Sequence, residues 1–210
     1  MAFSVVSRGH PAAGLVSSMA ANLERAAQLL CDVLDHHDAG GAVYEILERE
    51  RVGDELARDL LTYLESDSYL EADSLIAGAL AREDLQELAW VLENALDDIA
   101  SAADGMRLYR LEDPPTQMSE LAAKVAQATV LVRRGLVAAE SGGEVRRCWI
   151  GLAHLEDEGE TLAAALGQTL RDEGTASAAH WRDIVDLAEE ALHGCQHAGA
   201  ILVAAVLQLA

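Results

Sequence analysis

Apolar residues recur along this chain at alternating steps of three and four, the mark of helices that bury one face. Val43, Ile46, Glu50, Gly53, Ala57, Leu60 and Leu64 keep that rhythm, as do Leu85, Leu88, Leu92, Ala95, Ile99, Ala102 and Met106. A third seam runs through Val145, Cys148, Leu152, Leu155, Gly159, Leu162 and Leu166. No stretch alternates with period two, so no strand is expected. Gly40-Gly41, Pro114-Pro115, Gly142-Gly143 and Gly174-Thr175 interrupt the pattern, and a weakly marked break falls between Ser66 and Arg82. The spacing predicts six long helices, over about 12–38, 42–66, 82–112, 116–140, 144–173 and 178–209. The expected fold is all-α, an elongated bundle of six antiparallel helices in one domain spanning 1–210.

Two short patterns recur. Glu50-Arg51-Val52-Gly53-Asp54 in the second helix parallels Glu156-Asp157-Glu158-Gly159-Glu160 in the fifth. Glu93-Asn94-Ala95-Leu96-Asp97 in the third parallels Glu189-Glu190-Ala191-Leu192-His193 in the sixth. Two tandem three-helix repeats, over about 12–112 and 114–209, are therefore expected.

Composition agrees with helices. The chain has 210 residues, 51% hydrophobic but only 4% aromatic, with three prolines, which disfavours a β-sandwich or barrel. Its 36 acidic residues against 15 Lys and Arg leave a net charge of −21. Such a surface repels nucleic acid and anionic lipid, and attracts cations or a basic protein patch. Cys31, Cys148 and Cys195 form no CxxC pair, consistent with a reducing compartment. The first residues lack the basic start and apolar core of a signal peptide. The most apolar stretch, 198–209, is too short to span a bilayer, so a cytoplasmic protein without membrane insertion is expected.

Candidate chemistry lies in the carboxylates. Residues four apart share a helix face, and two carboxylates so placed repel unless a cation sits between them. Spacing alone decides little, because 36 acids in 210 positions give about six such pairs by chance. Glu55/Asp59, Asp67/Glu71, Glu83/Glu87 and Asp186/Glu190 read as solvated faces. Glu50 is different, because it falls on an apolar seam, where a carboxylate needs a partner. Glu93, Asp97, Glu156 and Glu160 flank their seams, and Gly53 and Gly159 would let a neighbouring helix approach beside them. Glu50, Asp54, Glu93, Asp97, Glu156, Glu160 and Glu189 are thus candidate ligands for a hard metal ion.

His193 and His197, four apart on the last helix, suit zinc or iron, or an ordinary interface. The Gly-Cys-Gln between them excludes the HExxH metalloprotease helix. His36-His37 would complement the dipole at the end of the first helix. No P-loop, GxGxxG or GxSxG is present. A ferritin-like di-iron site needs two Glu-x-x-His motifs, and Glu190 to His193 supplies one.

Taken in order, these motifs resemble the PhoU-like proteins, in the branch of phosphate transport regulators or Pit accessory proteins. Glu50 to Leu56 is similar to the first ExxxD-type motif of that family. Arg82-Glu83-Asp84-Leu85, Leu92 through Asp97, Ala102-Ala103-Asp104 and Leu108 through Leu111 resemble its third helix. Leu155 through Glu160 resembles the fifth, and Trp181 through Ile184, Leu187 and Glu189 through Cys195 the sixth. The likeness covers about 40–210. The family usually has Asp where Glu160, His193 and His197 stand.

The resemblance implies two three-helix repeats, multinuclear iron or zinc on the bundle surface, and a non-enzymatic role beside a membrane phosphate transporter. Basic cytoplasmic loops of such a transporter would attract a −21 bundle. A homodimer is also compatible with it. Two alternatives stay open: a di-iron-type metalloenzyme using the same groups, and a helical interaction module that binds no metal.

Overall fold

The computed structural model describes residues 11–35, 40–66, 80–141 and 144–207. Among them are six helices and no strand: α1 (Pro11–Asp35), α2 (Gly40–Glu65), α3 (Arg82–Leu108), α4 (Thr116–Ser141), α5 (Val145–Glu173) and α6 (Ala176–Leu207). Among the described residues, the all-α class and the six helices match the expectation. His36-His37, the Asp67/Glu71 pair, the Gly142-Gly143 break and the connection after Ser66 fall wholly or mainly outside the described residues.

Local chemistry sets several ends. Thr175 caps α6, its hydroxyl oxygen accepting the Ala178 N–H at 3.0 Å, so the helix begins at Ala176, two residues before the expected start. Gly174 ends α5 in the left-handed conformation, φ 65°. At the start of α3 the Ala81 N–H donates to the Asp84 carboxylate, and Glu83 and Asp84 complement the dipole. α3 stops at Leu108, short of the expected 112. There Arg110 turns to φ 52°, and the Leu111 N–H donates back to the Met106 carbonyl at 2.9 Å. That closure satisfies the helix end before Pro114 is reached.

The apolar seams face one continuous core. Ile46, Leu60 and Leu64 of α2 and Leu88, Leu92 and Ile99 of α3 are fully buried. Each such side chain contributes about 1.5–3 kcal/mol on leaving water. α1 supplies Val16, Met19, Leu23 and Leu30, and α4 supplies Met118, Leu121 and Val132. Asn22 of α1, also buried, donates from Nδ2 to the Arg49 carbonyl of α2 at 2.5 Å, which ties the two helices together.

Helices α2, α3, α6 and α5 pack side by side in that order, while α1 and α4 lie against each other beneath them. α1 also touches α2 and α3, and α4 also touches α5 and α6. α6 is long and apolar enough to cross a membrane by length and composition, beyond the shorter 198–209 stretch. Here it packs on α3, α4 and α5 and buries Trp181, Ile184, Leu192, Cys195 and Leu202 in the core.

Candidate functional site

Two glycines bring the acidic helix pairs together. A Cβ on Gly53 of α2 would collide with Leu96 of α3, with Asn22 of α1 at 3.6 Å. A Cβ on Gly159 of α5 would collide with Leu192 of α6, with Leu121 of α4 at 3.6 Å. The missing side chains let the helices approach closely, and the residues beside each contact are the acids.

On α2 and α3, carboxylate oxygens of Glu50, Asp54 and Asp97 all lie within 4.8 Å of one another. Glu50 is half-buried at the groove edge, not sealed in the core as its seam position suggested. Burial raises its pKa above the usual carboxylate range, with Asp54 and Asp97 adding to the rise. Asp97 is raised in the same way by burial and then by Asp54. Glu93, one turn away on α3, is raised by burial and then by Asp54 and Asp97, with Arg58 opposing. Asp97 Oδ1 is buried and has no hydrogen-bond partner. An all-oxygen donor set, mutually repulsive and with one orphaned lone-pair site, fits a hard cation or iron. Zinc fits it less well, for want of nitrogen or sulfur.

On α5 and α6, Glu156, Glu160, Glu189 and His193 line a groove of about 340 Å³ together with Glu190. Here the arrangement is partly self-satisfied. The His193 Nδ1–H donates to Glu156 Oε1 at 2.7 Å. Glu189 is raised by burial, then by Asp186, Glu160 and Glu190. The donors are mixed nitrogen and oxygen, which suits zinc or iron. His197 does not join this group. It reaches the other way, with Nε2 3.1 Å from Glu87 Oε1 of α3.

Asp98 has no counterpart in the sequence reading. It sits half-buried between the two acidic groups, and burial followed by Glu190 and Asp97 pushes its pKa up to about 6. Asp98 has no signal in sequence, and Glu87, read with Glu83 as a solvated face, instead meets His197, because Glu190 and His197 lie on α6 and no within-helix spacing points there. Neither protein-family models nor curated proteins yield a match to this chain.

Proposed function

We propose that this chain is a metal-binding, non-enzymatic accessory protein of inorganic phosphate transport, built as two PhoU-like three-helix halves. The packing supports the two halves. α1, α2 and α3 contact one another as α4, α5 and α6 do, and the halves meet through α1 against α4 and α3 against α6. The paired contacts Gly53–Leu96 and Gly159–Leu192 fall at matching places in the recurring motifs. The phosphate role rests on the motif resemblance and on the −21 charge, which suits basic cytoplasmic loops of a transporter.

The observation that carries the metal reading is the Glu50, Asp54 and Asp97 cluster with its orphaned Asp97 oxygen. Elemental analysis after iron and zinc loading tests it, comparing wild type with the Asp54→Asn/Asp97→Asn variant. Metal held by wild type and lost from the variant is the expected result. No metal in wild type would overturn the reading and leave a plain interaction module.

A further inference from the structure

The two halves differ in how they neutralise equivalent carboxylates. His193 and His197 stand one and five residues past Leu192, and each meets a carboxylate, Glu156 and Glu87. Asp97 and Ser101 stand one and five residues past Leu96. Glu50 precedes Gly53 as Glu156 precedes Gly159, and Asp183 precedes Leu192 by the same nine residues that separate Glu87 from Leu96. So where His193 meets Glu156 within the second half and His197 meets Glu87 across the two halves, the matching positions hold Asp97 beside Glu50, and Ser101 with Asp183 on the wall across from it.

Those residues line an open groove of about 510 Å³ along the C-terminal half of α3, between α2 and α6. Its α3 side carries Ala100, Ser101 and Gly105, of which Gly105 is covered by Ile184 of α6 and Ser101 is exposed. Its apolar edge is Leu47, Leu108 and Leu187, and Leu108 is 60% exposed. Four carboxylates face it, Glu50, Asp97, Asp104 and Asp183, and no described lining residue is basic. Arg107 engages Asp104 at 2.5 Å from just outside, leaving the other three without a cation among the described residues.

We infer that this groove docks a basic amphipathic helix of a partner protein. The trough follows the α3 positions Asp97, Ser101, Asp104 and Leu108, one turn apart, and the short side chain of exposed Ser101 leaves room between them for a further helix to lie alongside α3. In the metal-free protein, lysine or arginine side chains of the guest would do for Glu50, Asp97 and Asp183 what His193 does for Glu156 and His197 for Glu87, while its apolar face covers Leu108 and Leu187. The same carboxylates turn away an anionic lipid surface. The inference rests on the proposed two-half build and gives the basic partner of that reading a docking surface.

The test is fluorescence anisotropy with the full-length, chelator-treated protein. The probe is a dye-labelled peptide of about five helical turns, lysines on one face and leucines on the other. A scrambled peptide of the same composition is the control. Wild type should bind the amphipathic peptide at least about tenfold more tightly than the scrambled one. Ser101→Trp, which fills that room, and Asp183→Asn should each cost about tenfold. Glu160→Gln, in the other groove, should leave binding unchanged. Both groove positions are exposed, and a melting curve checks that each variant folds. Equal binding of the two peptides, or full binding by folded Ser101→Trp or Asp183→Asn, would overturn the inference and leave attraction to the net charge alone. Metal content of the same variants separates the two proposals, because neither residue belongs to the Glu50, Asp54 and Asp97 cluster. Metal retained without peptide binding sinks only the docking; peptide bound without metal sinks only the metal reading.

Discussion

Gly159 of α5 lies against Leu192 of α6 so closely that one added carbon would overlap the leucine side chain. Leu192 is 1% exposed and packed in the core, so the added carbon must push a side chain already in close contact. Gly159→Ala gains about 0.5–1 kcal/mol of helix propensity. It loses about 1–3 kcal/mol to overpacking, so a net destabilisation of about 1 kcal/mol is expected. Gly53→Ala against Leu96 should behave alike. Chemical denaturation measures both, and the Gly159→Ala/Leu192→Ala double variant should recover part of the Gly159→Ala loss beyond simple addition.

Asp97 sits beside two other carboxylates with one buried, unpartnered oxygen. In metal-free protein, Asp97→Asn removes a repulsive charge and offers a donor to its neighbours. It should stabilise the fold by about 0.5–1 kcal/mol. With metal the sign should reverse, because wild type gains binding free energy that the variant lacks. Melting temperatures with chelator and with iron check this, and an unchanged ranking of the two proteins would count against a metal at this cluster.

Asp98 carries the pH dependence. Its pKa rises from the ordinary 3.8 to about 6 on folding, through burial and then Glu190 and Asp97. A carboxyl raised on folding costs nothing below the unfolded value and destabilises progressively as pH climbs to the folded one. Metal-free protein should therefore carry an Asp98 penalty that develops between about pH 4 and pH 6 and then levels off. Asp98 is only partly buried, so screening reduces the penalty to about 1 kcal/mol. The difference in unfolding free energy between wild type and Asp98→Asn, followed across that window, isolates it. A flat difference would mean that Asp98 titrates normally.

Much of the fold was legible because helix breakers and buried seams are local. Pro114-Pro115 and Gly174 mark boundaries within a residue or two, and Leu60, Leu88 and Leu166 are buried as their spacing predicts. The end of α3 was less legible. The apolar pattern runs on through Leu111, while a backbone turn at Arg110 closes the helix first. Gly53 and Gly159 stood out because each interrupts an acidic pair, and both prove to be sites of close helix approach. Cross-helix partners were hidden. His197 was grouped with His193 by spacing on one helix, yet the two reach opposite neighbours, Glu87 of α3 and Glu156 of α5. That division depends on the register between helices, which no single-helix periodicity contains.

His193 holds the position after Leu192 that Asp97 holds after Leu96. Its imidazole occupies Glu156, so the second cluster brings its own partner, whereas the first has an unpartnered oxygen. His193→Asp should release Glu156 and make the second group, with Glu160 and Glu189, an all-oxygen set like the first. Four carboxylates, with the hydrogen-bonded pair gone, repel one another, so the metal-free variant should be less stable than wild type by about 0.5–1 kcal/mol. It should also take up more of a hard cation such as manganese, which prefers oxygen ligands, and less zinc, which loses its nitrogen donor. Titration of wild type and variant with manganese and zinc, followed by calorimetry, reads both changes. If manganese uptake does not rise, the histidine is not what separates the two groups, and the difference lies in the longer Glu160 side chain standing where the first half has Asp54.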